Sequence, residues 1–234
     1  MIPLRDSNPT QRFPLVTVLL IAINSIVFLY EVSLGAQGVQ AMVGTFALVP
    51  ARLLPGALPA SGTVPVGATV ITSMFLHGGF LHVIGNMLYL WIFGNNVEDA
   101  MGRLRFALFY LLCGTTAALG HAFLNLRSTV PMIGASGAVS GVLGAYVLLY
   151  PRARVLTLFT LGFFVRLIEV PALVVLGFWF ILQFLNVLIA SGSGAGGGVA
   201  WHAHIGGFVA GMLLVGLFKR RGVPFWGRRS MKDL

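Results

Sequence analysis

Ser136 stands in a Gly134-Ala135-Ser136-Gly137 run that opens a long apolar segment. His82 and Asn86 sit early in another such segment, and His204 in the first third of the last one. Polar side chains at depth in hydrocarbon are costly, and their default reading is functional. A serine hydroxyl, an imidazole and an imidazole–amide pair are the components of nucleophilic acyl transfer. In that chemistry a neutral His204 takes the Ser136 proton as the oxygen attacks a carbonyl, then returns it to the leaving amine. The oxyanion needs donors aimed at it. His82, Asn86 and the Ser136 backbone N–H, at a helix start, can supply them. No carboxylate offers itself as a third member. Glu98, Asp99 and Glu169 fall near the inner surface, Asp6 and Asp233 in the tails, and Glu31 in the first segment. The residues predict a Ser136–His204 dyad that needs no cofactor. Hydrolysis also requires water, so these groups must line a hydrated cavity.

The elements that would position them are membrane spans. The chain has 234 residues, 57% hydrophobic and only 9% charged, against about 25% charged in a soluble domain. Segments 15–34, 79–100, 104–124, 133–150, 171–190 and 199–218 each approach the roughly 20 apolar residues a span needs. The expected fold is therefore all-α, a polytopic bundle of six transmembrane helices. With both termini cytoplasmic, every Lys and Arg of the 15 except Arg52 and Arg127 falls inside, as the positive-inside rule requires. That division gives a cytoplasmic tail at 1–13, a membrane domain at 14–218 and a basic cytoplasmic tail at 219–234. A multi-pass protein of the cell (inner) membrane is expected.

Other features carry less chemistry. The net positive charge does not point to nucleic acid, because the basic residues flank apolar segments instead of sharing a polar domain. The apolar stretch 155–165 is too short to cross and is bracketed by Arg152, Arg154 and Arg166, so it reads as interfacial. The Pro- and Gly-rich stretch 35–66 is expected to lie partly in the interface. The Ser-Gly run at 191–198 suits a mobile cover or a plain connector equally. Cys113, the single cysteine, reads as a packing residue.

Helical spacing sharpens the constellation. His82 and Asn86 are four apart and share a face, whereas His77 and His82 diverge by about 140°. His202 and His204 point to nearly opposite sides, which leaves His202 at the rim. Gly207 and Gly211 form a GxxxG pair below His204, and Gly137, Ser140, Gly141 and Gly144 give a matching small face below Ser136. Close packing of these two faces is predicted to bring Ser136 Oγ to His204. A metal site built from His77, His82 and His202 lacks the spacing that puts ligands on one face, so no metal is expected. The alternative is a non-catalytic protein that binds or escorts client spans in the same groove.

These residues resemble the rhomboid family of intramembrane serine proteases. The matching motifs are His77-x4-His82-x3-Asn86, Gly134-Ala-Ser136-Gly137 and Ala203-His204-x2-Gly207-x3-Gly211. The resemblance implies Ser136 as nucleophile, His204 as base, and His82 with Asn86 lining the oxyanion site. It further implies a supporting role for His77 and a role for Glu98 and Gly102 in fixing the cytoplasmic end of the second span. The implied substrates are single-span membrane proteins in a lipid bilayer, cut near the outer end of the span. Two features depart from the pattern of some relatives. Ser140 stands where an aromatic would lie under the catalytic histidine, so His204 must be held otherwise, and the first outside loop lacks a Trp-Arg pair.

Overall fold

The computed structural model describes residues 1–54, 56, 64–161, 164–193 and 200–227. The glycine run at 194–199 and the basic residues Arg228, Arg229 and Lys232, on which two of the expectations above partly rest, lie outside them. The chain runs β1 (Ile2–Asp6), α1 (Leu15–Ser33), α2 (Gly35–Phe46), α3 (Thr69–Thr72), α4 (Phe80–Tyr89), a π turn (Leu90–Gly94), α5 (Asn95–Met101) and α6 (Arg103–Leu124). It continues through α7 (Ser136–Leu149), β2 (Arg154–Leu161), β3 (Phe164–Pro171), α8 (Ala172–Ser193) and α9 (Trp201–Phe218).

The fold is mostly helical. Among the described residues four helices are long and apolar enough to cross a membrane: Leu15–Ser33, Arg103–Leu124, Ala172–Ile189 and Trp201–Phe218. A fifth follows if Val66–Phe75 and Phe80–Met101, bent by 82°, count as one span. Helix α7 is shorter, with 14 residues or about 21 Å of rise. Apart from its two ends it is buried nearly throughout, which makes it the axis around which the others pack. Residues 133–135, expected as its first turn, instead form an approach in which Gly134 takes φ +121°. The nucleophile candidate thus heads its helix.

The expectation of an all-α chain needs correcting. Stretch 155–165 and the tail at 1–13 contribute to a three-stranded antiparallel sheet in the order β1-β2-β3. The sequence Arg-Val-Leu-Thr-Leu-Phe-Thr-Leu is rich in residues that suit a pleated, half-buried surface. Its Val155 and Thr157 face inward and are buried, paired with Asp6 and Pro3 of β1. The tail at 1–13 is therefore not free of the rest of the chain, and 155–161 is strand rather than helix. The 35–66 stretch likewise holds a regular helix, α2, before turning through Pro50–Leu53.

Buried polar groups tie the sheet end together. The Glu98 carboxylate accepts Val16 N–H (3.0 Å), Thr17 N–H (2.8 Å) and the Thr17 hydroxyl (2.8 Å), capping α1 from a neighbouring helix. A carboxylate there satisfies orphan donors and complements the helix dipole. Gly102 breaks α5 from α6 at φ +86°. Asp6, expected in a tail, instead accepts Tyr146 O–H (2.6 Å) and Asn96 Nδ2–H (2.8 Å). Burial pushes its carboxyl up to about 6 against the opposing pull of Tyr146. Arg220, just past α9, donates to the Asp99 carbonyl, and its backbone N–H reaches Ala100 O at 2.9 Å.

Candidate active site

Helices α7 and α9 meet backbone to backbone. A Cβ placed on Gly207 would run into the carbonyl oxygen of Gly137, and one on Gly211 into that of Gly141. From the other side, a Cβ on Gly144 would strike the Phe208 carbonyl. Gly137 and Gly141 also accommodate α6, through Ala117 and the buried Cys113. This contact brings the head of α7 beside the first turn of α9, and His204 Nε2 lies 2.8 Å from Ser136 Oγ.

Helix α4 supplies the facing side. The imidazole of His82 presses on Gly134, where a Cβ would come 2.8 Å from His82 Nε2 and 3.7 Å from Ser136 Oγ. Only a residue without a side chain can hold that position at a left-handed φ. His82 Nδ1 is the acceptor of a long contact from Gly78 N–H (3.4 Å). A neutral ring that accepts at Nδ1 carries its proton on Nε2, at the edge of the ring that meets Gly134. Asn86, one turn on, is buried, and its Nδ2 has no hydrogen-bond partner among the described residues. His82, Asn86, Tyr89, Ser136, Trp179 and His204 share a cavity of about 520 Å³. A buried, unpaired amide donor beside a serine–histidine pair suits a site in which negative charge develops.

The remaining sequence candidates fall as follows. His77 is buried behind His82, ring to ring at 5.1 Å, and its backbone N–H donates to Glu31 Oε2 at 3.1 Å. His202 does not join the cavity and lies 6.2 Å from the ring of His121. Ser140 donates to its own helix, at the Ser136 carbonyl (2.6 Å), and so leaves His204 unsupported from that side. Among the described residues no three or more His, Cys, Asp or Glu are grouped to hold a metal ion.

Support for His204 comes from α8, which was expected as a span but with no part in the site. Trp179 of α8 lies 6.0 Å from the imidazole at 35°, and Gln183 Oε1 is 2.8 Å from His204 Nδ1. These two are four apart and share a face of α8. Gln183 is a buried amide in an otherwise strongly apolar segment. The rule that flagged Asn86 flags it equally; its depth was the available signal.

Comparison with known proteins gives a consistent assignment. The family model described as "Rhomboid domain" matches residues 67–221. Rhomboid protein 1, mitochondrial, of Saccharomyces cerevisiae is 33% identical over 152 residues, covering 62% of this chain and 40% of the relative. RHOMBOID-like protein 6, mitochondrial, of Arabidopsis thaliana is 30% identical over 199 residues, covering 77% and 58%. Rhomboid protease GluP of Bacillus subtilis is 35% identical over 156 residues, covering 65% and 28%. The chain thus spans between roughly a quarter and three fifths of the length of these relatives.

Proposed function

The chain belongs to the rhomboid family, is an integral membrane protein, and from that premise we propose that it is an intramembrane serine protease. The observation that carries this reading is the 2.8 Å approach of Ser136 Oγ to His204 Nε2 at the wall of a cavity that also holds an unpaired Asn86 donor. In the proposed reaction Ser136 Oγ attacks a scissile carbonyl carbon while its proton passes to His204 Nε2. The oxyanion is met by Asn86 Nδ2–H, His82 Nε2–H and the Ser136 backbone N–H. Collapse of the intermediate breaks the C–N bond, and His204 protonates the departing amine. Water, deprotonated by His204, then releases the acyl group and restores Ser136.

The rest of the reading follows from the placement of apolar segments and basic residues and, for the substrates, from the resemblance to the family. The protein is proposed to cross the cell membrane six times with both termini cytoplasmic, α7 serving as the short central span. Its substrates are single-span membrane proteins cut near the outer end of the span, where the opened helix offers a carbonyl to the cavity. Gly137, Gly141, Gly207 and Gly211 serve to hold the two catalytic helices at contact distance.

The test is cleavage of a labelled single-span reporter by purified protein in vesicles. Ser136→Ala and His204→Ala should each abolish it, and the double variant should be no worse, because the two groups act as one unit. Reporter binding without cleavage by the parent protein would support the escort reading instead.

A further inference from the structure

Gln183 makes a contact that a two-residue site does not require. The residue is 7% exposed, and Oε1 lies 2.8 Å from His204 Nδ1, across the ring from Ser136. We propose that Gln183 is a positioning residue that accepts the His204 Nδ1–H hydrogen bond and so fixes which imidazole nitrogen is basic. The inference rests on the protease reading for its catalytic meaning and on its own geometry for the bond.

The chemistry follows from donor and acceptor roles. A neutral imidazole has one N–H and one lone pair, and the partner of one nitrogen decides the state of the other. An amide oxygen can only accept, so Gln183 Oε1 holds the proton on Nδ1 and leaves the Nε2 lone pair toward Ser136. The opposite amide orientation would present NH2 to Nδ1 and force the proton onto Nε2. That tautomer cannot take the serine proton. Amide orientation is assigned from such networks, and here only one orientation is compatible with an acceptor at Nε2.

The choice of an amide over a carboxylate also has a physical reason. A buried carboxylate within lipid-embedded helices is costly unless paired. A neutral acceptor orients the ring without that cost. Trp179, one turn earlier on the same face, lies against the imidazole at 6.0 Å. Together they hold His204 from α8, the support that Ser140 does not give from α7.

The test compares the parent with Gln183→Met, which keeps length and helix propensity but removes the acceptor, and with Gln183→Glu, which restores one. Met should lower kcat about 10- to 10²-fold, as misorientation of a catalytic group does, with KM within about twofold. Glu should recover most of that loss. Independently, 15N spectra of histidine-labelled protein, with His204→Ala assigning one signal among five histidines, should show the His204 proton on Nδ1 in the parent and a tautomer mixture in Gln183→Met. An unchanged kcat in Met, or a parent His204 protonated on Nε2, overturns the inference while leaving Ser136-dependent cleavage intact. If the parent cleaves nothing yet shows the Nδ1 proton and its loss in Met, the orienting bond stands and the protease reading falls.

Discussion

Helix α9 is gripped on two sides by contacts of opposite construction. Against α7 the surfaces are glycine, and main chain touches main chain at Gly137–Gly207 and Gly141–Gly211. Against α8 the contact is made by long side chains, Trp179 and Gln183, reaching from a helix whose Ile181, Phe184, Leu185 and Leu188 are exposed. A backbone seam has no rotamers to adjust, so it sets where the imidazole stands. Side chains from a loosely packed helix set how the imidazole points. Lipid makes the exposed side of α8 inexpensive, because apolar tails solvate it as well as protein would.

Breaking the seam should produce the larger effect, and two adjacent glycines provide the comparison. A Cβ on Gly207 collides with Gly137 O, whereas one on Gly206 meets nothing nearer than Ala117 Cα at 3.8 Å. Gly207→Ala should therefore lower reporter cleavage about 10²-fold or more, since displacement near 1 Å has that cost, and should lower the melting temperature. Gly206→Ala should keep full activity and gain slightly in stability, by up to about 1 kcal/mol from helix propensity. Equal behaviour of the two variants would refute a seam at Gly207.

The α8 side predicts a smaller and differently shaped loss. Trp179→Leu removes an aromatic contact to His204 and another to Phe208. Pairs of this kind contribute about 0.5–1.5 kcal/mol, so the rate should drop by roughly tenfold at most. Its melting temperature should fall less than that of Gly207→Ala. A variant that loses stability as steeply as the glycine change would mean that α8 belongs to the rigid frame and the contrast is false.

The mildest effect is expected at the sheet end, which neither grip includes. The Asp6 carboxyl is raised to about 6 by burial, so folding favours its protonated form. The associated stability is complete below the unfolded carboxylate value of about 4 and is lost as pH rises through about 6. Melting temperature should decline over that window, and Asp6→Asn, which keeps an acceptor for Tyr146 and Asn96, should flatten the decline. Reporter cleavage near neutral pH should not change. A loss of activity comparable with that of Trp179→Leu would tie the sheet to the site.

Much of the candidate site was legible because hydrocarbon leaves polar side chains few reasons to be present. Ser136, His204, His82 and Asn86 were picked out by depth, and the small faces of α7 and α9 by a spacing that survives any loop arrangement. Gln183 carried the same signal and was passed over, because its partner is fixed by how α8 leans on α9, a tertiary matter. The sheet was hidden for another reason. Its pairing of Ile2 with Leu158 joins residues far apart in the sequence, and an apolar run judged by length conceals a period of two. Helix α2 was hidden by glycines, which depress propensity yet did not prevent a helix from forming at 35–46.

The π turn at Leu90–Gly94 acts as a phase shifter. The stretch Phe80–Met101 presents Asn86 to the cavity at one end and Glu98 to the start of α1 at the other. Gly94, a turn before Glu98, already faces Thr17, where a Cβ would come 3.3 Å from its methyl. A π turn accommodates one residue more than the α-helix would, and one residue is about 100° of rotation. Were Leu90–Gly94 regular α-helix with the same five residues, the extra residue would swing the Glu98 carboxylate off α1 relative to the side chains at the cavity. By absorbing that residue, the turn lets one helical stretch face the cavity with Asn86 and α1 with Glu98.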